Sequence, residues 1–121
     1  MMDAGLKAKW IAALRSGKYT QTTKVMRDDI GFCCLGVLQD IIDPDGWEEK
    51  PSYCHPSSAH RGDGQPYIKS EYLSGFIIKN DQTLTIQKVL ALMNDGDDYG
   101  SFKFEKHDFN QIADFIEENV K

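Results

Sequence analysis

Three side chains in one N-terminal segment could together bind a phosphorylated ligand. Tyr19, Gln21 and Arg27 are separated by even numbers of residues, and alternate residues of an extended strand lie on one face. The Arg27 guanidinium suits a phosphate or carboxylate, and the tyrosine ring and the amide suit a base. The segment therefore predicts a site for a small anionic, nucleotide-like ligand. The alternative is structural: Arg27 pairs with Asp28 or Asp29, and Tyr19 covers the edge of the core.

The start of a predicted helix supplies further candidates. A helix that begins near Cys34 would point unpaired backbone N–H groups at an anion, and Gly36 would allow a ligand close to the backbone. Asn94 lies in a polar turn of the C-terminal half and could reach the same cleft. The predicted ligand-binding residues are Tyr19, Gln21, Arg27, Cys34, Gly36 and Asn94.

No common catalytic motif is present in the sequence. It contains no P-loop, dinucleotide fingerprint, nucleophile elbow or HEXXH zinc motif. Cys33 and Cys34 are adjacent, without the spacer that structural zinc sites use. Because adjacent residues of a strand face opposite ways, one of the pair should enter the core, and we predict buried thiols rather than a nucleophile. We predict no catalytic residue, no metal and no cofactor. The enzymatic alternative is a hydrolase that uses His55 or His107 with aspartates as acid and base.

The size and charge of the chain exclude several classes of partner. The 121 residues include 14 Lys+Arg and 19 Asp+Glu, for a net charge of -5, and this length predicts one domain over residues 1–121. The acidic balance argues against duplex DNA and membrane surfaces as partners. The apolar runs are too short to span a bilayer. An odd cysteine count favours a reducing compartment, so we expect a cytoplasmic protein.

Apolar residues recur at helical spacing in four segments of the chain. The first begins after Asp3 and ends near Gly17, the second begins near Cys34, the third follows Thr85, and the last follows Asp108. Trp10 lies in the middle of the first apolar stripe, so we predict that it belongs to the core rather than to a stacking platform.

A strand hairpin is predicted between the first two helices. Residues 18–27 are rich in Thr, Tyr and Val, residues 28–31 indicate a turn, and residues 32–34 return. The predicted fold is therefore α+β: a small antiparallel sheet built on a 19–34 hairpin, packed by three to four helices. Residues 47–67 contain three of the four prolines and predict a variable loop. Residues 72–78 form a short helix or strand.

Two sequence motifs cover most of the chain. The first extends from Trp10 to Leu38 and contains Ser16-Gly17, Tyr19 and the run CCLGVL; the second combines residues 92–96 with residues 109–117. In these motifs the chain resembles small proteins that tailed bacteriophages and prophages encode, a group without an assigned activity. It departs from their pattern at Met93 and in an insertion over residues 97–106.

The resemblance implies a phage accessory protein made inside the host cell. Together with the predicted anion site, it leads us to expect a counter-defence protein that sequesters a nucleotide immune signal without catalysis. One alternative is an inhibitor of a host defence enzyme or complex, whose acidic residues Asp95, Asp97 and Asp98 mimic nucleic acid. A second alternative is a hydrolase of the nucleotide signal. We also consider a homodimer that shares a pocket between subunits.

Overall fold

Four helices and three short antiparallel strand pairs make up the described fold. The computed structural model describes residues 2–23, 27, 30–44, 47–49, 54–56, 68, 72–79, 82–96, 98–99, 102–103 and 105–120. Among these the helices are α1 (Ala4–Arg15), α2 (Cys34–Ile42), α3 (Ile86–Asp95) and α4 (Phe109–Asn119). The paired strands are β1 (Trp47–Glu49) with β2 (Cys54–Pro56), β3 (Phe76–Lys79) with β4 (Gln82–Thr85), and β5 (Asp98–Tyr99) with β6 (Phe102–Lys103). The predicted α+β class is confirmed.

Side-chain caps set the starts of the helices. The Asp3 carboxylate accepts a hydrogen bond from the Leu6 N–H at 2.8 Å, and the Thr85 hydroxyl accepts one from the Lys88 N–H at 3.1 Å. Asp108 and Gln111 cap each other's backbone N–H groups at the start of α4. These bonds satisfy N–H groups that have no partner within their helix. The helix starts that the sequence predicts are therefore confirmed.

The main core lies between the four helices. Its fully buried side chains include Trp10, Leu38, Leu90 and Ile116, so the prediction that Trp10 belongs to the core is confirmed. The Trp10 indole N–H donates to the Cys34 carbonyl at 2.9 Å, which satisfies the one polar group of this buried ring. The indole bond thereby connects α1 to the start of α2.

The strand pair β3–β4 packs on α3 through one face. Leu84 on β4 joins Val89, Leu92 and Met93 of α3 in a second buried cluster, against which Ile77 packs. Because side chains alternate along a strand, Phe76 and Ile78 point to the other face, where they are 69% and 74% exposed. The sequence left helix and strand as alternatives for residues 72–78, and the last residues of this segment belong to strand β3.

Two long side chains of α1 reach α4. The Arg15 guanidinium lies 2.6 Å from the Asp114 carboxylate and 3.0 Å from that of Glu117. The Lys7 ammonium group donates to the Val120 carbonyl at 2.5 Å. Exposed ion pairs of this kind contribute roughly 0–1 kcal/mol, so the packing of the two helices depends mainly on their buried faces.

The backbone pairing at Phe32 agrees with the predicted 19–34 hairpin at Arg27 and corrects it at Gln21. Phe32 forms a parallel bridge with Gln21 and an antiparallel bridge with Arg27. Its N–H donates to the Thr20 carbonyl at 2.8 Å, and its carbonyl accepts from the Thr22 N–H at 2.8 Å. The chain therefore runs in opposite directions at Gln21 and at Arg27, and residues 19–27 cannot be one strand. The antiparallel ladders lie in β1–β2, β3–β4 and β5–β6 instead.

The predicted variable loop contains the first strand pair. In β1–β2, Trp47 faces Pro56 and Glu49 faces Cys54, while residues 50–53 and 57–67 lie outside the described residues. Just beyond this loop, the side chain of Ile68 belongs to the main core. No helix within the described ranges is long and apolar enough to cross a membrane.

Gly31 provides a test of the tight backbone pairing at Phe32. A Cβ atom at Gly31 would overlap the Thr20 carbonyl oxygen, whereas one at Gly17 would meet no atom within 4 Å. We expect Gly31→Ala to lower the free energy of unfolding by at least about 2 kcal/mol. The control Gly17→Ala should cost roughly 1–2 kcal/mol because its φ is +78°. Urea unfolding measures both; a smaller loss for Gly31→Ala than for Gly17→Ala would contradict the close approach.

Candidate functional site

A fully buried amide at the end of α3 joins three parts of the chain. The Asn94 side-chain oxygen accepts from the Cys34 N–H at 3.1 Å and from the Gln21 amide at 3.0 Å. Its nitrogen donates to the Thr22 carbonyl at 2.8 Å and to the Asp95 carboxylate at 3.0 Å. Two donor hydrogens and two acceptor positions are the full capacity of an amide. All four are used within the protein.

Gln21 extends this network toward α4. Its amide also donates to the His107 carbonyl at 2.8 Å, and the His107 N–H donates to the Met93 carbonyl at 2.8 Å. Three of the predicted ligand-binding residues, Gln21, Cys34 and Asn94, therefore lie together. Their polar groups bind one another, and contact with a ligand at these residues stays a prediction.

The start of α2 is capped by its own chain. The Gly36 N–H donates to the Cys33 sulfur at 3.3 Å, and the Val37 N–H donates to the Cys33 carbonyl at 3.0 Å. The bond from Val37 is the first bond within the helix, whereas the bonds from Gly36 to Cys33 and from Cys34 to Asn94 engage two of the N–H groups that an anion would use. Gly36 is buried. An anion at this helix start would have to displace bonds within the protein.

The adjacent cysteines are free and buried, as the sequence predicts. Burial raises the pKa of the Cys33 thiol to about 12 and holds that of Cys34 well above its usual range. The Cys34 sulfur lies 3.6 Å from the Leu90 carbonyl, to which the thiol donates. A nucleophilic cysteine needs a lowered pKa, so these thiols have the properties of core residues rather than of reactive groups.

Beside the buried network lies a partly exposed cluster that we call the Phe32 platform: Tyr19, Arg27, Phe32 and Asp40. The Arg27 guanidinium carbon lies 5.2 Å from the centroid of the Phe32 ring. The Tyr19 ring meets that ring edge-on, with centroids 4.9 Å apart at 89°. These distances are within the ranges of cation–π and aromatic pairs.

The hydroxyl end of Tyr19 connects the platform to α2. It donates to the Asp40 carboxylate at 2.8 Å, and partial burial together with this bond raises the pKa of Tyr19 to about 12. Two members of the platform, Phe32 and Asp40, were missed by the sequence reasoning. The spacing of Tyr19 and Asp40 in the sequence does not predict their hydrogen bond, because this bond forms only when α2 packs beside residue 19.

The remaining candidates give no second site among the described residues. No group of three His, Cys, Asp or Glu residues that could hold a metal occurs there. The His107 Nδ1 lies 2.6 Å from the Glu105 carbonyl, so the ring binds its own segment. The side chains of His55 and Asp98, and all of Asp28, Asp29, His60 and Asp97, lie outside the described part of the chain.

A comparison with protein families finds one similarity. A family model described as a domain of unknown function (DUF8296) matches residues 2–55. The matched range contains α1, the Phe32 platform and α2, whereas Asn94 lies outside it. No curated protein and no solved structure matches the chain. The comparisons therefore identify no catalytic family.

The buried amide network leads to a stability prediction. Asn94→Ala removes four hydrogen bonds and leaves the Thr22 carbonyl and the Cys34 N–H without that partner in the interior. We expect a loss of about 3 kcal/mol or more in the free energy of unfolding. The matched control is Asn119→Ala on the exposed end of α4, with a change of about 0.5 kcal/mol or less. Chemical denaturation followed by tryptophan fluorescence measures both; equal losses would contradict the role of Asn94.

The raised pKa values predict a loss of stability in alkaline solution. Cys33 and Tyr19 have ordinary pKa values of 9.0 and 10.0, and both are raised to about 12 in the fold. The unfolded chain therefore releases these protons first, so stability should be constant below pH 9 and fall as the pH rises toward 12. Denaturation at a series of pH values measures this. Tyr19→Phe removes the titrating hydroxyl, so the loss of stability above pH 10 should be smaller in this variant.

Thiol modification provides an independent measurement of the same burial. In a Cys54→Ser variant, only Cys33 and Cys34 remain, and both are buried. Iodoacetamide at pH 8 should modify them at a rate limited by unfolding, and rapidly once a denaturant is added. Rapid alkylation of the folded protein would contradict the burial.

Proposed function

We propose that this chain binds a small anionic, nucleotide-like ligand at the Phe32 platform and sequesters it without catalysis. The observation that carries the proposal is the Arg27 guanidinium held 5.2 Å from the centre of the Phe32 ring. A guanidinium has five N–H donors and keeps its charge at any physiological pH. Contact with an aromatic ring restricts its orientation, which favours directed bonds to a phosphate.

The neighbouring groups favour a nucleotide over a bare anion. The Asp40 carboxylate, bonded to the Tyr19 hydroxyl at 2.8 Å, repels an inorganic phosphate but can accept hydrogen bonds from a base or a ribose. The aromatic rings of Tyr19 and Phe32 provide apolar surface for a base. A ligand with a phosphate, hydroxyl groups and a flat ring has a group complementary to each of these side chains.

The local charge also supports an anionic ligand. The acids Asp114 and Glu117 offset the charge of Arg15, whereas Lys18 is exposed next to Tyr19 in the chain. The platform contains Arg27, and the exposed Lys18 directly precedes its member Tyr19 in the chain, although the whole chain has a net charge of -5. Charges within roughly 10 Å determine the attraction at physiological salt.

In this proposal the buried network supports the platform rather than contacting the ligand. Phe32 bonds to Thr20 and Thr22 through its backbone, and the Thr22 carbonyl is held by Asn94. Gln21, Cys34, Gly36 and Asn94 are therefore positioning residues, and Tyr19 and Arg27 contact the ligand. A site whose side chains are already held in place by such positioning residues loses less conformational entropy when a ligand binds.

Sequestration rather than turnover fits the chemistry of the described side chains. The pKa of Tyr19 is raised to about 12, and burial keeps Cys33 protonated, so neither is a base or a nucleophile at neutral pH. The resemblance to phage proteins supplies the biological role that we propose: counter-defence in the host cytoplasm, with a nucleotide immune signal as the ligand.

Isothermal calorimetry with cyclic dinucleotides, cyclic mononucleotides and ADP-ribose-type compounds tests the proposal. We expect heat from at least one of them and little from inorganic phosphate. Arg27→Ala should weaken binding at least about tenfold because it removes a charge-assisted contact. Arg27→Lys, which keeps the charge without the planar fork, should be intermediate. Arg15→Ala is the matched control and should leave the affinity unchanged.

The fate of the ligand separates sequestration from hydrolysis. After incubation, the protein is denatured and the released nucleotide is examined by chromatography. Intact ligand supports sequestration, whereas a cleaved product supports the hydrolase alternative. No heat with any nucleotide, or equal affinity of the wild type and Arg27→Ala, would overturn the proposed site.

The second candidate function is inhibition of a host defence enzyme or complex through direct protein contact. It is favoured by Phe76 and Ile78, which expose 69% and 74% of their surface on one face of β3, since exposed apolar pairs are typical of protein-binding surfaces. Capture of a host enzyme that Phe76→Ser with Ile78→Ser abolishes, without an effect on nucleotide binding, would favour this function.

A further inference from the structure

Strand β3 has one edge with which no described residue pairs. The Ile86 N–H donates to the Gly75 carbonyl at 3.0 Å, so these two residues form a hydrogen-bonded pair at the end of the β3–β4 ladder. Bonded and non-bonded pairs alternate along an antiparallel ladder, and Phe76 and Ile78 therefore occupy non-bonded positions. Their N–H and carbonyl groups point away from β4, and within the described ranges nothing bonds to them.

The same two residues expose apolar side chains. Phe76 is 69% exposed and Ile78 is 74% exposed, so the rest of the chain leaves most of each residue uncovered. Thr83 and Thr85, which lie opposite them on β4, are exposed as well. We call the outward backbone groups and the side chains of Phe76 and Ile78 the β3 edge. An open edge with apolar side chains is a template for pairing with another strand.

An antiparallel copy of β3 is complementary to this edge. When Ile77 lies opposite Ile77 of the partner subunit, Phe76 lies opposite Ile78 of the partner subunit. The outward groups then meet their counterparts, and the two equivalent pairs form backbone hydrogen bonds in both directions. Each pair combines an aromatic with a β-branched side chain, which is a favourable cross-strand combination. The antiparallel arrangement also separates the two copies of Lys79, which a parallel arrangement in register would place side by side.

We infer that two copies of this chain pair through the β3 edge and form a continuous four-stranded antiparallel sheet. A second copy is the occupant because the edge is its own complement in backbone bonds, in side chains and in the separation of charge. So short a strand covers much less than the roughly 800 Å² per partner of a stable interface. The net charge of -5 on each chain also opposes association at low salt. The dimer is therefore weak and reversible, and it strengthens as salt screens the charge.

Sedimentation equilibrium of the full chain tests the association. In about 0.5 M sodium chloride, which screens the net charge, the mean mass should rise from one chain toward two between about 10 µM and 1 mM. Ile78→Pro removes an outward N–H without removing a bond to β4 and should weaken the association at least about tenfold. Thr83→Pro makes the same change at the opposite residue on β4, away from the β3 edge, and should leave the association unchanged.

A mixture of two charged variants tests the register of the pair. Phe76→Asp and Ile78→Lys should each associate at least about tenfold more weakly than the wild type, because each puts a charge into both apolar pairs of its homodimer. In the mixture, the inferred register places the introduced carboxylate opposite the introduced ammonium group. The heterodimer should therefore form in preference to either homodimer, as sedimentation with one variant fluorescently labelled measures.

A chain that stays monomeric up to about 1 mM, or an association that Ile78→Pro leaves unchanged, would overturn the dimer. If Ile78→Pro does not fold, the mixture decides, and a heterodimer no stronger than the homodimers would overturn the pairing. The second candidate function uses the same two side chains, so capture of a host enzyme by a chain that does not self-associate would also overturn it. No residue of β3 belongs to the Phe32 platform, and nucleotide calorimetry on the same samples keeps the two results distinct.

Discussion

The described fold depends on the hydrogen bonds that converge on the backbone of Cys34. Its N–H donates to the buried Asn94 amide of α3, and its carbonyl accepts from the Trp10 indole of α1. Helix α2 therefore begins at a residue that side chains of two other helices hold. Because an unpaired polar group in the interior costs roughly 1–3 kcal/mol, the start of α2 can shift along the sequence only if several partners are lost together. This constraint determines the position of the residues that precede α2.

The same bonds determine the geometry of the Phe32 platform. Phe32 lies two residues before Cys34, and its backbone pairs with Thr20 and Thr22. Asn94 holds the Thr22 carbonyl from the other side, so both segments beside the ring are attached to α3. Gly31 permits the close contact because any Cβ there would overlap the Thr20 carbonyl. The partly exposed aromatic and charged groups are thereby supported by a buried polar network, an arrangement that keeps a surface in one geometry.

Local sequence signals were sufficient for the helices but not for the segment between α1 and α2. Asp3, Thr85 and the pair Asp108 and Gln111 act on neighbouring backbone groups, so their roles can be predicted from spacing. The strand-like composition of residues 18–27 indicated an extended backbone, but it could not specify the segment with which this backbone pairs. That partner depends on contacts such as Gln21 with Asn94, which are 73 positions apart. The hairpin prediction agrees with the antiparallel bridge between Arg27 and Phe32 but not with the parallel bridge between Gln21 and Phe32, because pairing is a property of the packed chain rather than of local propensity.

The candidate site shows a similar limit of sequence reasoning. The sequence grouped Gln21, Cys34 and Asn94 because amides and a helix start suit a nucleotide-like ligand, and these residues do lie together. The same polar groups can also hydrogen-bond to one another. Once they are buried they do so, because a nearby amide replaces the hydrogen bonds to water that burial removes. In the proposed function, ligand recognition therefore falls to the partly exposed Tyr19 and Arg27, which combine an aromatic surface with a cation at the edge of the network. In this chain a buried amide joins three segments of the fold, and the ligand contacts that we propose lie on the partly exposed side chains beside it.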